Sequence, residues 1–243
     1  MRWQLGLAVI VVSLSFGRFV QADEAKARKL VEQSLKAAGG ADKIAKRPAT
    51  TIKDRGMYYG AGEGVAYEGN FSFHLPDKFS MEISGAFKIV VNGNQGWVKA
   101  NNETREMTAE EIDTQKSGLY HGWVASLLPL TQKEFKLSLF GEEKLDGRDV
   151  EGINVTREGR PNVTLFFDQQ THLLVKSTTV VKSPEQGNKE VAEVHLYKDY
   201  KPIDGLQSPT KSLVTRDGKK FVESEVVEEV RHEKLDDSVF AKP

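Results

Sequence analysis

The chain has 243 residues, 34 Lys and Arg against 35 Asp and Glu, a formal net charge of −1 and no cysteine. A near-neutral chain with interleaved signs offers no electrostatic footprint for nucleic acid and no basic cluster for a polybasic membrane binder. Without cysteine, stability has to come from a packed core instead of disulfides, and the length suffices for one.

Residues 1–22 differ from the rest: Met1-Arg2, an apolar run from Leu5 to Phe16 broken by Ser13 and Ser15, then Val20-Gln21-Ala22. This is the layout of a secretory signal peptide, with cleavage expected after Ala22. The apolar run falls short of the ~20 residues that span a bilayer. A lipoprotein carries an acylated cysteine after its leader, and this chain has none, so a released periplasmic or secreted protein is expected. Residues 23–243 show no linker, repeat or break in composition and read as one domain.

From Asp23 to Ala38 the residues Ala27, Leu30, Val31, Ser34 and Leu35 recur at helical spacing before Gly39-Gly40, which predicts an amphipathic helix. A short helical turn is expected over Asp42–Lys46. After Pro48 the period becomes two. Val65, Tyr67, Phe71, Phe73 and Leu75 alternate with polar residues, and so do Phe79, Met81 and Ile83, then Phe87, Ile89 and Val91; these are strands with one buried face. The cluster Asn92-Gly93-Asn94 lies between such a strand and Gly96-Trp97-Val98, so it reads as a hairpin turn. A phosphate-gripping loop would need a helix behind it.

Thr108-Ala109-Glu110-Glu111 is a capping box that opens a helix, and Ile112, Leu119, Tyr120, Trp123, Val124, Leu127 and Leu128 give that helix an apolar face. Strands resume at Phe135, separated by Asp146-Gly147, Glu158-Gly159, Gln186-Gly187, Asp204-Gly205 and Asp217-Gly218. The fold class that follows is mainly β: one large antiparallel sheet of about ten or eleven strands, obliged by its size to curl, with helices covering one face.

No reaction is written locally. Histidines 74, 121, 172, 195 and 232 lack metal-ligand spacing and read as scattered; no G-x-S-x-G elbow or cysteine nucleophile is present. Gly60-Ala61-Gly62-Glu63-Gly64 lacks the spacing of a nucleotide loop. The acid pairs, among them Glu228-Glu229, point to opposite faces of a strand. Catalytic residues, a cofactor and a metal site are therefore not expected, although folding could still converge acids or histidines.

The order of several segments resembles the outer-membrane lipoprotein carrier superfamily, the LolA-like and LolB-like periplasmic proteins. The segments are the N-terminal helix, LPDKFSMEI (Leu75 to Ile83), IVVNGNQGWVK (Ile89 to Lys99), the inserted helix, FFDQQTHLLVK (Phe166 to Lys176) and DDSVFAKP (Asp236 to Pro243). In that family they correspond to a Pro-centred strand start, a G-x-x-x-W hairpin, a lid helix, a D-x-x-x-x-L-L hairpin and a terminal D-x-x-x-F-x-x-P. The resemblance implies an unclosed β-barrel, plugged by helices, that holds acyl chains or another hydrophobic ligand in its concave face. Phe71, Phe73, Met81, Phe87, Ile89, Trp97, Trp123 and Leu127 would be the lining. It implies as partner a lipid or lipidated protein; an envelope protein is a further expected partner, and the chain is expected to be a monomer. The chain departs from the pattern at Leu75-Pro76, where these carriers often have Arg-Pro, the arginine locking the lid. Two other readings stand beside it: a non-enzymatic envelope interaction module with a filled core, and an enzyme using converged side chains.

Overall fold

The computed structural model describes residues 16–243, with side chains from 22 onward. Residues 1–15 of the expected leader lie outside the described residues. Helix α1 (Phe16–Ala37) and the short α2 (Ala41–Lys46) precede six strands: β1 (Ala49–Tyr58), β2 (Val65–His74), β3 (Lys78–Ile83), β4 (Phe87–Asn92), β5 (Gln95–Ala100) and β6 (Glu103–Glu106). Helix α3 (Ala109–Ala125) and a 3-10 turn (Leu128–Thr131) lead to seven more: β7 (Lys136–Leu145), β8 (Arg148–Thr156), β9 (Val163–Asp168), β10 (Leu174–Ser183), β11 (Lys189–Ile203), β12 (Leu206–Arg216) and β13 (Lys219–His232). A 3-10 turn at Asp237–Phe240 ends the chain. Among the described residues no helix is long and apolar enough to cross a membrane.

All 13 strands form one antiparallel sheet in the order β6-β5-β4-β3-β2-β1-β13-β12-β11-β10-β9-β8-β7. Two meanders are thus joined where the first strand pairs with the last, from Ala49 opposite His232 to Tyr58 opposite Val222. The free edges, β6 and β7, are consecutive in the chain, and α3 is the connection between them. Leu119 of α3 packs with Phe79 and Val91 of β3 and β4, while Tyr120 and Val124 pack with Leu165 and Phe167 of β9. β4 and β9 lie eight strand spacings apart in this order, roughly 38 Å if the sheet were flat. One helix about 10 Å wide touches both, so the sheet curls around it as an unclosed barrel.

Two strands exceed the predicted ten or eleven. β6 is only four residues long, with three of them charged. β1 places Thr50, Asp54 and Gly56 on its inward side, which erases the apolar alternation that marks a strand in sequence. The capping box forms as expected: Glu111 N donates to Thr108 Oγ1 at 3.2 Å and Thr108 N to Glu111 Oε2 at 2.8 Å. The Asn92-Gly93-Asn94 cluster is the β4–β5 turn, with Asn92 paired to Gln95. Its loop residues are Gly93 and Asn94, and the positive φ falls on Gly93, at 62°.

Candidate functional site

Paired residues in a sheet share a face, so the register traces the inner surface. One row runs Ile153, Leu165, Ser177, His195, Val214, Val222, Tyr58, Val65 from β8 to β2. Phe71 and Phe73 continue the Val65 side of β2, and Phe71 is opposite Met81, which is opposite Ile89, which is opposite Val98. The concave face therefore has three zones: apolar on β2–β5, polar around β1 and β10–β13, and apolar again on β7–β9.

The two apolar zones differ in cover. On β7–β9, Ile153, Val155, Val163 and Leu165 are fully buried beneath Ala27, Val31 and Leu35 of α1 and Tyr120 and Val124 of α3. Arg28 ties α1 down by donating to the carbonyls of Leu130 at 3.1 Å and Phe135 at 2.9 Å. On β2–β5, among the described residues, α3 alone gives helical cover, through Ile112 and Leu119, and Phe71, Phe73, Leu75, Met81, Ile89 and Val98 stay half-buried around Phe79 and Val91. Gly96 lets α3 start so close to β5: a Cβ there would come within 2.7 Å of Met107 Sδ and 3.1 Å of Ile112.

The eight residues expected to line a ligand site fall in three places. Phe71, Phe73, Met81 and Ile89 belong to the half-covered strip. Phe87 shares their face, opposite Ile83 at the end of β4. Trp97 does not join them: it is opposite Val90 and packs on the outer face with Val90 and Phe240. The register of Val98 with Ile89 puts residue 97 on the opposite face of β5 from the strip. Trp123 and Leu127 lie in the packed core with α1 and β7–β9, where Arg157 stacks over Trp123 at 5.3 Å and over Phe135 at 5.1 Å.

Between the apolar zones lies a hydrogen-bonded polar seam. His121, 4% exposed on α3, has Nε2 2.9 Å from Ser177 Oγ, which is 2.9 Å from Tyr197 Oη. The His121 ring centre is 4.4 Å from that of His195. His195 Nε2 is 2.8 Å from Glu193 Oε1, and Arg216 donates to Glu193 Oε2 at 2.8 Å and to Glu185 at 2.9 Å. Burial, then the neighbouring His195, push His121 down to about 3, so its ring is neutral. Burial works against the charge on Glu193, but His195 and Arg216 outweigh it and hold the carboxyl at about 2. Farther along, Tyr67 donates to Asp54 Oδ2 at 3.0 Å, and Asp54 Oδ1 is buried with no hydrogen-bond partner among the described residues.

Reading the histidines as scattered holds for three of the five; the curled sheet brings 121 and 195 together with Glu193 as the group able to hold a metal among the described residues. The signals were a histidine set in the apolar face of α3 and the alternation Glu193, His195, Tyr197 along one side of β11. Of the Glu228-Glu229 pair, Glu229 is buried: its side chain is 3% exposed and engaged by Arg231 and Ser208. A cleft of about 200 Å³ lies outside the strip, between Asp113, Thr114 and Ser117 of α3, Arg160 and Lys182, and its wall is largely polar.

No family model matches the chain, and no curated protein matches its sequence. Solved structures do match its fold. A DUF1329 family protein from Desulfovibrio piger superposes with a TM-score of 0.58 at 13% identity, covering 88% of this chain and 97% of that one. A LolA superfamily protein from Nitrosomonas europaea gives 0.55 at 13%, covering 89% and 97%. A domain assigned to outer membrane lipoprotein sorting from Vibrio parahaemolyticus gives 0.56 at 10%, covering 90% and 97%. At these identities the likeness is one of fold, and the unclosed, helix-plugged barrel of this chain is the fold of the LolA superfamily protein and the lipoprotein-sorting domain.

Proposed function

We propose that this chain is a non-enzymatic carrier or binding protein for a lipid, lipoprotein acyl chains or another hydrophobic ligand, acting in the periplasm after removal of residues 1–22. The observation that carries the proposal is the unequal cover of the concave face. α1 and α3 bury Ile153, Val155, Val163 and Leu165 of β8 and β9 fully, while the strip of Phe71, Phe73, Met81 and Ile89 beside α3 stays half-open. Exposed apolar surface of this kind is retained where a ligand covers it, and a barrel mouth with a movable neighbour is a common ligand site. An acyl chain laid along β2–β5 would complete the cover that α1 supplies on the other half. The shared fold supports the same reading, and Leu75 extends the apolar strip where these carriers often place a latch arginine.

A fluorescent fatty acid titrated into delipidated, tag-free protein is expected to bind saturably, with mass spectrometry of organic extracts from gently purified protein showing a co-purifying lipid. Absence of both would overturn the proposal. The sealed β7–β9 half favours a second reading, an envelope interaction module with a filled core, which predicts a protein partner and no lipid.

A further inference from the structure

We infer that His121, Glu193 and His195 form a binding site for a divalent transition metal of the zinc class, which joins α3 to β11. The three side chains offer one donor atom each, and these atoms lie within 4.8 Å of one another. Two imidazoles and one carboxylate are a set that zinc takes when its fourth position stays open to water. Donors around a tetrahedral zinc stand about 3.4 Å apart, given ligand bonds of ~2.0–2.1 Å, so closure asks for movements on the order of 1 Å by side chains already in place.

The surroundings are those of a built site. Glu193 and His195 alternate on one face of β11 and present both groups to α3. The hydrogen bond of 2.8 Å between His195 Nε2 and Glu193 Oε1 occupies the position an ion would take, the ring proton moving to Nδ1. Ser177, itself bonded to Tyr197, holds the His121 ring, and Arg216 holds the far oxygen of Glu193, as outer hydrogen-bond partners do for metal ligands. Arg216 is a cation next to the site, but it faces two carboxylates, Glu193 and Glu185, which leaves one negative charge for the ion. A route in exists beside His195, whose side chain is 22% exposed. The site is separate from the strip on β2–β5 and stands whether or not that strip holds a ligand.

Chelator-treated, tag-free protein titrated with ZnCl2 is expected to bind one ion per chain. Its Tm should rise by about 5 °C at 100 times Kd, and amide exchange in residues 117–125 of α3 should slow. His195→Gln, checked for folding by circular dichroism, should bind about 10-fold more weakly or worse; Glu193→Gln should do the same. Lack of saturable zinc binding by the unaltered chain, or undiminished binding by His195→Gln, would overturn the site. Zinc binding that leaves α3 exchange unchanged would overturn the joining of α3 to β11.

Discussion

His121 Nε2 on α3 stands 2.9 Å from Ser177 Oγ on β10, and both residues are buried, so the helix that crosses the concave face is held there by a buried hydrogen bond of the polar seam. A buried group left without its partner costs more than the bond contributes. Ser177→Ala strands both His121 and Tyr197. The expected loss is about 1–3 kcal/mol, read as a lower urea midpoint at unchanged m-value.

The two apolar halves should respond differently to substitution. Leu165→Ala, at a fully buried site, should cost about 2–5 kcal/mol by urea titration and leave fatty-acid affinity little changed. Phe73→Asp or Met81→Glu, in the half-open strip, should weaken fluorescent fatty-acid binding about 10-fold or more, since a charge disfavours apolar contact there.

Trp97 and Phe240 form one contact on the outer face. Asn92 and Thr104 hold the C-terminal segment over them by donating to the carbonyls of Phe240 at 3.3 Å and Pro243 at 2.9 Å. Phe240→Ala should therefore cost about 3–5 kcal/mol and shift Trp97 emission to longer wavelength, seen against a Trp123→Phe background. Trp97→Phe should leave fatty-acid binding unchanged.

Asp54 makes stability depend on pH. Burial pushes its carboxyl up to about 6 despite the Tyr67 hydrogen bond. The folded chain thus holds a proton that the unfolded chain gives up near pH 4. The resulting contribution is fully present below about pH 4 and is lost as pH rises through about 6. Asp54→Asn should raise stability at pH 7 by roughly 1 kcal/mol, allowing for solvent screening of a partly exposed group, and change nothing near pH 4. Paired urea titrations at the two pH values read the difference.

What the sequence revealed follows from where local chemistry decides structure. The capping box at Thr108 and Glu111, the Gly93 turn and the alternation through Phe71, Met81 and Ile89 all report short-range rules. The terminal motif that carried the family resemblance is likewise a fold device, since Asp236 caps the last turn and Phe240 seats it on Trp97. Asp168 similarly accepts from the amides of Gln170 and Thr171 at 2.9 and 2.8 Å and so builds its hairpin. The side on which Trp97 falls was hidden, because a shift of one position in register exchanges the faces. The polar seam was hidden as well: His121 and His195 are 74 positions apart in sequence, and only the packing of α3 across the meander that contains β9, β10 and β11 brings their rings together.

The proposed carrier function requires an apolar ligand to lie along β2–β5 beside α3. A fatty acid carrying a photoreactive diazirine on its chain, bound to the delipidated protein and mapped by peptide mass spectrometry after illumination, reads that position. Labels on Phe71, Phe73, Met81, Ile89 and the Ile112–Leu119 side of α3 are predicted. Labels confined to the outer face around Trp97 and Phe240, or no specific labelling at saturating ligand, would contradict it.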